Sequence, residues 1–162
     1  MPNWCKNKLL ILADGKDALD DFKRLEELFD ETLEYDSKTE SVENLLSSVV
    51  PIPENIYLGA IGVKEREKYG DNHWYSWCNS NWGTKWDTSD CVMKLGSKVC
   101  PTSYTMRFEF HTAHAPPIPW LEKVGAKFPN LWLKLEYNEP GMCFRGVACG
   151  RGEIVDKYEE YE

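Results

Sequence analysis

Hydrophobic and polar residues alternate most regularly in the segment YTMRFEFH, residues 104–111. A period of two predicts a β-strand with one buried face and one wetter face. Residues 131–137, LWLKLEY, alternate in the same way. Residues 4–13 contain a continuous apolar run, which is typical of a buried strand. Further strands are predicted at 91–95 and 98–100, joined as a hairpin through Gly96, and at 142–149.

Two helices are predicted between these strands. In residues 17–34 the apolar positions fall on one face at helical spacing, and acidic residues near the start suit the helix dipole. Pro119 suits the first turn of a second helix, which would run to about Lys127 with its apolar residues inward.

The region 35–80 does not fit this pattern and is predicted to be an insertion. It would contain a short helical piece around 42–46, an extended segment at 49–56 that holds two prolines, and a helical turn near 64–69. Directly after it, the segment WGTKWD at 82–87 is predicted to form a short strand that begins at a bend.

The order of elements is strand, helix, insertion, strand, strand, helix, strand, strand. Without the last strand this is the βαββαβ order of a ferredoxin-like α+β fold, in which two helices cover one face of an antiparallel sheet. The segment 142–149 would then be an extra C-terminal strand. We expect one domain over residues 1–162, with an acidic tail at 153–162 that is mobile at its end.

The charge pattern limits the classes of partner. The chain has a net charge of −8. Residues 1–50 hold 12 acidic and 6 basic residues, and residues 153–162 hold 5 acidic residues and 1 basic residue. Residues 51–152 hold 10 acidic and 12 basic residues, so the negative charge belongs to the two ends of the chain. Because Lys and Arg contacts to phosphate supply most non-specific affinity, this balance argues against nucleic acid as a partner. It is still compatible with a local basic patch in the middle of the chain.

The sequence does not predict a membrane segment, a disulfide or a metal site. No apolar run is long enough to span a bilayer, and the N-terminus lacks the basic and apolar regions of a signal peptide. The six cysteines include no CxxC pair, which argues against a redox dithiol and a structural zinc site. We therefore expect reduced thiols in a cytoplasm, with no cofactor and no metal.

Five motifs occur in order along the chain: MPNWCxN at the start, NWGTKWD at 81–87, FxFxTAxxPP at 108–117, FPxL at 128–131 and YxExGxxFxG at 137–146. Together they resemble the YubB-type ferredoxin-like domain family, small proteins of phages, plasmids and other mobile elements. The resemblance implies a ferredoxin-like fold in the cytoplasm of a bacterial host. It implies no assigned activity. It also implies no iron–sulfur cluster, because the name ferredoxin-like refers to topology and the chain lacks the cysteine spacing that a cluster needs. Where the family commonly has Trp in TAW, this chain has His114.

The tryptophans of the NWGTKWD motif have more than one interpretation. In a strand, Trp82 and Trp86 would point to the same side, where they could cap the core. Alternatively they form a rim that stacks a flat ligand, with Lys85 and Asp87 between them on the opposite side and Lys85 neutralising a phosphate. A protein interface is a third interpretation, because Trp is enriched at binding hot spots.

No catalytic motif organises a nucleophile and its base. His111 and His114 form HxxH without a second ligand pair, and the HTA sequence at His111 lacks the pattern of a duplicated phosphoesterase. Glu109 and Glu136 would form cross-strand salt bridges rather than a catalytic carboxylate pair. The strand at 104–111 also lacks the signature of RNA-binding sheets.

We therefore expect a non-enzymatic binding or interaction protein. It would dock a host protein, such as a component of host defence, or a small anionic or nucleotide ligand; an uncharacterised hydrolase is the alternative. Exposed edge strands would permit a homodimer. The candidate surface consists of Trp82, Lys85, Trp86, Asp87, Arg107, His111, Glu139 and Arg145.

Overall fold

The computed structural model describes residues 1–29, 39–95 and 102–162. The strands in these ranges are β1 (Trp4–Asp14), β2 (Thr39–Ser41), β3 (Ser89–Leu95), β4 (Ser103–Ala113), β5 (Trp132–Glu139), β6 (Phe144–Arg151) and β7 (Val155–Glu160). They form one antiparallel sheet in the order β2-β3-β4-β1-β5-β6-β7. The first strand along the chain therefore lies in the middle of the sheet, between β4 and β5.

The helices are α1 (Lys16–Glu26), α2 (Leu45–Val49), α3 (Val63–Tyr69), α4 (Trp74–Asn81) and α5 (Ile118–Lys127). α1 packs against β1 and α5 packs against β6. Phe22 and Leu25 of α1 are buried, as are Trp120, Leu121 and Val124 of α5. No helix within the described ranges has the length and apolar character needed to cross a membrane.

One face of the sheet forms the core with these helices. Alternate residues of β1 and β4, such as Leu9, Ile11, Phe108 and Phe110, are buried, and the residues between them are exposed or half-buried. This is the period of two expected for strands with one face packed on a core. α2 lies on the same side, because the indole Nε1 of Trp120 donates to its backbone at Leu46 O at 3.0 Å.

Most of the regular elements predicted from periodicity are confirmed. The structure has strands at 4–14, 103–113, 132–139 and 144–151, each close to its predicted bounds. α5 and α3 also lie where they were predicted. The predicted hairpin partner at 98–100 lies outside the described residues.

The insertion and the first helix differ from the predictions. α1 ends at Glu26 and a turn follows to Phe29, so the prediction of one helix from 17 was too long at 27–29; residues 30–34 lie outside the described part. The short helix predicted at 42–46 begins later, at Leu45. α4 was not predicted, although Trp74, Trp77 and Cys78 recur at helical spacing and face the core.

The predicted strand at WGTKWD is wrong. Trp82 continues the last turn of α4, where its N–H donates to Cys78 O at 2.8 Å, and the chain then bends at Gly83. Gly83 has φ +86°, and a Cβ there would lie 2.5 Å from the ring of Pro119. A glycine is required for both reasons. Because the segment is not extended, the spacing of four residues does not place Trp82 and Trp86 on one side.

The acidic tail contains a strand that was not predicted. β7 pairs with β6 over six residues, from Phe144 opposite Glu160 to Cys149 opposite Val155. All its residues are exposed, so no apolar alternation marks it in the sequence. Its side chains are nevertheless anchored, because Tyr137 Oη donates to Asp156 Oδ1 at 2.7 Å.

Candidate binding surface

The face of the sheet opposite the helices, which we call the open face, is built from aligned outward positions. Register places these side chains in four rows that run across the strands in the order β3, β4, β1, β5, β6, β7. The first row is Ser89, His111, Lys6, Asn138, Arg145 and Glu159. The second row is Val92, Glu109, Lys8, Glu136, Val147 and Lys157. The third row is Lys94, Arg107, Leu10, Lys134, Cys149 and Val155. The fourth row, without β3 and β7, is Thr105, Leu12, Trp132 and Arg151.

The open face is basic although the chain as a whole is acidic. Within the four rows, the three carboxylates are those of Glu109, Glu136 and Glu159. Two more border the rows: Asp14, at the next outward position of β1, and Asp90, beside His111. Its eight basic side chains are Lys6, Lys8, Lys94, Arg107, Lys134, Arg145, Arg151 and Lys157. In a chain with a net charge of −8, this arrangement separates positive charge onto one surface.

Each carboxylate of the four rows has a basic partner on the same face. Lys8 Nζ lies 3.9 Å from Glu109, Lys134 Nζ lies 3.1 Å from Glu136, and Arg145 Nη2 lies 3.2 Å from Glu159. The bond to Arg145 lowers the pKa of Glu159 and raises that of Arg145. Five basic residues of the open face have no ion-pair partner within the described ranges: Lys6, Lys94, Arg107, Arg151 and Lys157. Their charge is available to an anion from outside.

Two shallow depressions adjoin on the open face. One, of about 260 Å³, lies between β4, β1 and β5 and is lined by Lys8, Arg107 and Lys134. The other, of about 660 Å³, lies over β5, β6 and β7 and is lined by Arg145, Lys157 and Tyr161. Glu136 borders both depressions, so together they cross most of the sheet.

Aromatic rings lie at one end of the open face. The rings of Trp4 and Trp86 are 6.4 Å apart, and His111 meets the Trp4 ring edge-on at 6.5 Å. Lys85 Nζ lies 4.1 Å from the centre of the Trp86 ring, which is within the range of a cation–π contact. His111 Nδ1 is 3.9 Å from Asp90 and has no hydrogen-bond partner among the residues that the structure describes. Trp132 supplies an exposed ring in the fourth row, at the opposite end of the open face.

The structure divides the predicted candidate surface into three groups. Lys85, Trp86 and His111 come together at the ring cluster, while Arg107 and Arg145 lie in the two depressions. Arg107 is in the third row and His111 in the first, so Arg107 does not join Lys85 and His111.

The remaining three candidates hold the fold together. Trp82 is buried, and its Nε1 donates to Val50 O at 2.8 Å. The carboxylate of Asp87 accepts backbone N–H bonds from Leu46 and Ser47 of α2 at 2.8 and 2.9 Å. Each of these groups therefore fixes the insertion against the rest of the chain.

Glu139 has a similar structural role in the turn between β5 and β6. It is buried, and its carboxylate accepts from the N–H groups of Gly141 and Met142 at 2.8 and 2.6 Å. A Cβ at Gly141 would lie 2.8 Å from the side chain of Asn3. The ExG portion of the last motif is thus explained by the geometry of the turn.

Several basic residues of the surface were missed. Lys6 and Lys8 alternate with buried residues of β1, so the period of two that predicts the strand at 131–137 could also have placed them on an outward face. Arg151 and Lys157 could not have been placed, because their row positions follow from the pairing of β6 with β5 and β7.

The described residues offer little support for catalysis. Burial raises the pKa of the thiols of Cys5, Cys78 and Cys91 to about 12, 11 and 12, so these groups stay protonated near neutral pH and are poor nucleophiles. Within the described ranges, no three His, Cys, Asp or Glu residues cluster closely enough to hold a metal ion.

The second half of the chain matches a known protein family. The family described as "Ferredoxin-like domain in Api92-like protein" matches residues 81–162, just over half of the chain. The chain belongs to this family. The match includes β3 to β7 and α5, and with it the α+β class and the ferredoxin-like domain are confirmed.

A solved structure supports the same fold over the whole length. The crystal structure of a protein api92 from Yersinia pseudotuberculosis has 14% sequence identity and a TM-score of 0.52, and the match covers 100% of this chain and 99% of that one. At this identity the likeness shows the fold alone. A comparison with curated protein sequences gave no significant match.

Proposed function

We propose that the chain is a non-enzymatic binding protein that presents its open face to an anionic partner. The observation that carries the proposal is the separation of charge: the four rows of the open face hold eight basic and three acidic side chains, with Asp14 and Asp90 beside them, in a chain with net charge −8. Complementary electrostatic potentials on two surfaces speed their association and disfavour partners of the wrong charge. Five unpaired basic groups strengthen this expectation, since an incoming anion would not have to displace an internal carboxylate from them.

Four finer points belong to the same proposal and are supported by sequence. We place β1, α1, β3, β4, α5 and β5 as the βαββαβ core, with β6 as the extra C-terminal strand and β2 to α4 as the insertion. The five motifs support a YubB-type protein of a phage or plasmid. On that basis the protein would act in the cytoplasm of a bacterial host, and its partner would come from the host.

The experiment compares polyanion binding with a charge-matched control. Binding of fluorescent poly-L-glutamate and of polyphosphate is measured by anisotropy at low salt. Arg107→Gln with Lys134→Gln removes two charges from the open face, and Lys64→Gln with Lys123→Gln removes two exposed charges from the helices. We expect at least a fivefold loss of affinity for the first pair and little change for the second. Equal losses, or no binding of either polymer to the unaltered chain, would contradict the proposal.

The ring cluster favours a second candidate, a small anionic or nucleotide ligand at Lys85 and Trp86. The Lys85 ammonium lies over the Trp86 ring, and that ring is 42% exposed, so a flat anionic ligand would meet a charge and a π-face together. A nucleotide panel should quench tryptophan fluorescence, and Lys85→Ala with Trp86→Ala should abolish the quenching. The thiols of Cys5, Cys78 and Cys91 do not support the alternative of a hydrolase, because they are protonated near neutral pH.

A further inference from the structure

We infer that the anionic partner is a single-stranded nucleic acid, laid along β1 across the open face from Trp132 to the pair Trp4 and Trp86. This inference rests on the proposed function and names the chemical class of its partner. Two features carry it: the placement of rings at both ends of the open face, and the basic side chains in each row between them.

The rings are separated by a distance that a short strand of nucleic acid can span. Trp132 pairs with Leu12, and Trp4 is eight residues back along the same strand. At about 3.3 Å per residue, this separation is roughly 26 Å. Every base has a π-face, so aromatic rings at the two ends can stack bases without selecting a sequence.

The rows between the rings supply cations at regular intervals. Successive rows along β1 are about 6.6 Å apart, because outward side chains recur every second residue. The third row presents Arg107 and Lys134, the second presents Lys8, and the first presents Lys6. Glu109 and Glu136 flank Lys8 and pair with Lys8 and Lys134, so a phosphate would compete with these two carboxylates, whereas Arg107 and Lys6 have no ion-pair partner in the described ranges. Leu10 lies half-buried in the third row, where sugars and bases could pack on it. A basic track with rings along it is the arrangement that binds single strands.

These features favour a single strand over an acidic protein or a duplex. An acidic protein segment would satisfy the cations but would leave Trp86 and Trp132, which are 42% and 37% exposed, without a matching flat group. In a duplex the bases are stacked on each other, and their faces cannot reach the tryptophans. A single strand offers phosphates and free base faces together.

The net negative charge of the chain, which in the sequence argued against a nucleic acid partner, does not exclude binding at the open face. At physiological ionic strength, exposed charges more than about 8 Å apart are largely screened, so the open face acts through its own local charge. The acidic residues elsewhere should lower the affinity and make it sensitive to salt. With four to five phosphates contacted, the logarithm of the binding constant should fall against the logarithm of salt with a slope of about −3.

The experiment measures anisotropy of labelled oligo(dT) and oligo(U) of 4, 8 and 12 nucleotides, a 12-base-pair duplex and poly-L-glutamate, from 50 to 300 mM NaCl. We expect binding of the 8-mer and 12-mer and much weaker binding of the duplex. Trp132→Ala should weaken binding about tenfold, as the loss of one stacked base predicts. The matched control is Tyr75→Ala, which removes an exposed ring from α4 and should leave affinity unchanged. Urea denaturation of both variants confirms that they fold.

The outcomes separate this inference from the proposed function. If poly-L-glutamate binds through Arg107 and Lys134 while neither oligonucleotide binds, the inference is overturned and the proposed function stands. Equal binding of duplex and single strand, or equal effects of Trp132→Ala and Tyr75→Ala, would also overturn it. If no polyanion binds, both proposals fail.

Discussion

The two faces of the sheet use the same residue types for different purposes. On the helix side, Trp82 and Trp120 are buried and each indole N–H donates to a backbone carbonyl. On the open face, Trp132 is 37% exposed, and Trp86 at its end is 42% exposed. The first pair closes the core, whereas the second pair is available to a partner.

Carboxylates show the same division. Glu139 is buried and accepts two backbone N–H bonds, while Glu136, three residues earlier, is exposed and pairs with Lys134. These differences show that neither the type of a residue nor its place in a motif determines whether it stabilises the fold or is available for binding. Hydrogen-bond partners and burial do so, which can be tested by comparing substitutions at two residues of the same type.

The largest effect should come from the two tryptophans of the NWGTKWD motif. Trp82→Ala removes a buried indole and its bond to Val50 O, and should lower the free energy of unfolding by about 3–5 kcal/mol. Trp86→Ala removes a partly exposed ring and should cost less than about 1 kcal/mol. Urea denaturation followed by far-UV circular dichroism measures both. Similar losses would show that the two rings do not differ as the structure indicates.

A smaller effect is expected for the two glutamates of β5. Glu139→Gln keeps the size of the side chain but replaces one acceptor oxygen with a donor, so one N–H of the turn loses its partner at a cost of about 1–3 kcal/mol. Glu136→Gln should change stability by less than about 1 kcal/mol, because its ion pair with Lys134 is exposed.

Binding should respond to the same two substitutions in the opposite order. Glu136→Gln releases Lys134 and removes a negative charge from the open face, so polyanion affinity should rise. Glu139→Gln should leave affinity unchanged in the folded protein. A loss of affinity in Glu136→Gln would contradict the assignment of this face to an anionic partner.

These pairs also show how far the sequence could predict the molecule. Periodicity gave the strands and α5 because their apolar residues face one core, and Trp120, Leu121 and Val124 are buried as expected. It missed α4, although Trp74, Trp77 and Cys78 recur there at helical spacing, because only these three inward residues mark this short helix. It could not give β7, because every residue of that strand is exposed and its position depends on pairing with β6.

The candidate site was harder to predict than the fold. Motif residues such as Trp82, Asp87 and Glu139 were chosen for their chemistry, yet a side-chain hydrogen bond to backbone explains each of them. The basic face could not be assembled from local patterns, because its rows join six strands that extend from residue 4 to residue 160. Strand register is therefore the information that was missing.

The smallest effect is expected at Glu159, which lies on the open face at the edge of the sheet. Its carboxylate accepts from Nε and Nη2 of Arg145, both at 3.2 Å, and this bond lowers its pKa in the folded state. A lowered pKa means that the carboxylate stabilises the fold above its unfolded pKa, and that this contribution disappears as the pH falls through the folded-state pKa. Glu159→Gln should therefore lower stability slightly at pH 7, and this effect should shrink as the pH falls.

Glu162→Gln is the control for this substitution, since it removes the same charge from an exposed side chain near the end of the chain. Urea midpoints at pH 7 and pH 3 for both variants isolate the contribution of the ion pair. Because the pair is exposed, its effect on binding should exceed its effect on stability: without Glu159, Arg145 becomes a sixth unpaired cation on the open face. Polyanion affinity should thus rise more for Glu159→Gln than for Glu162→Gln. Equal increases would mean that the partner responds to the total charge of the chain and not to the arrangement of charge on this face.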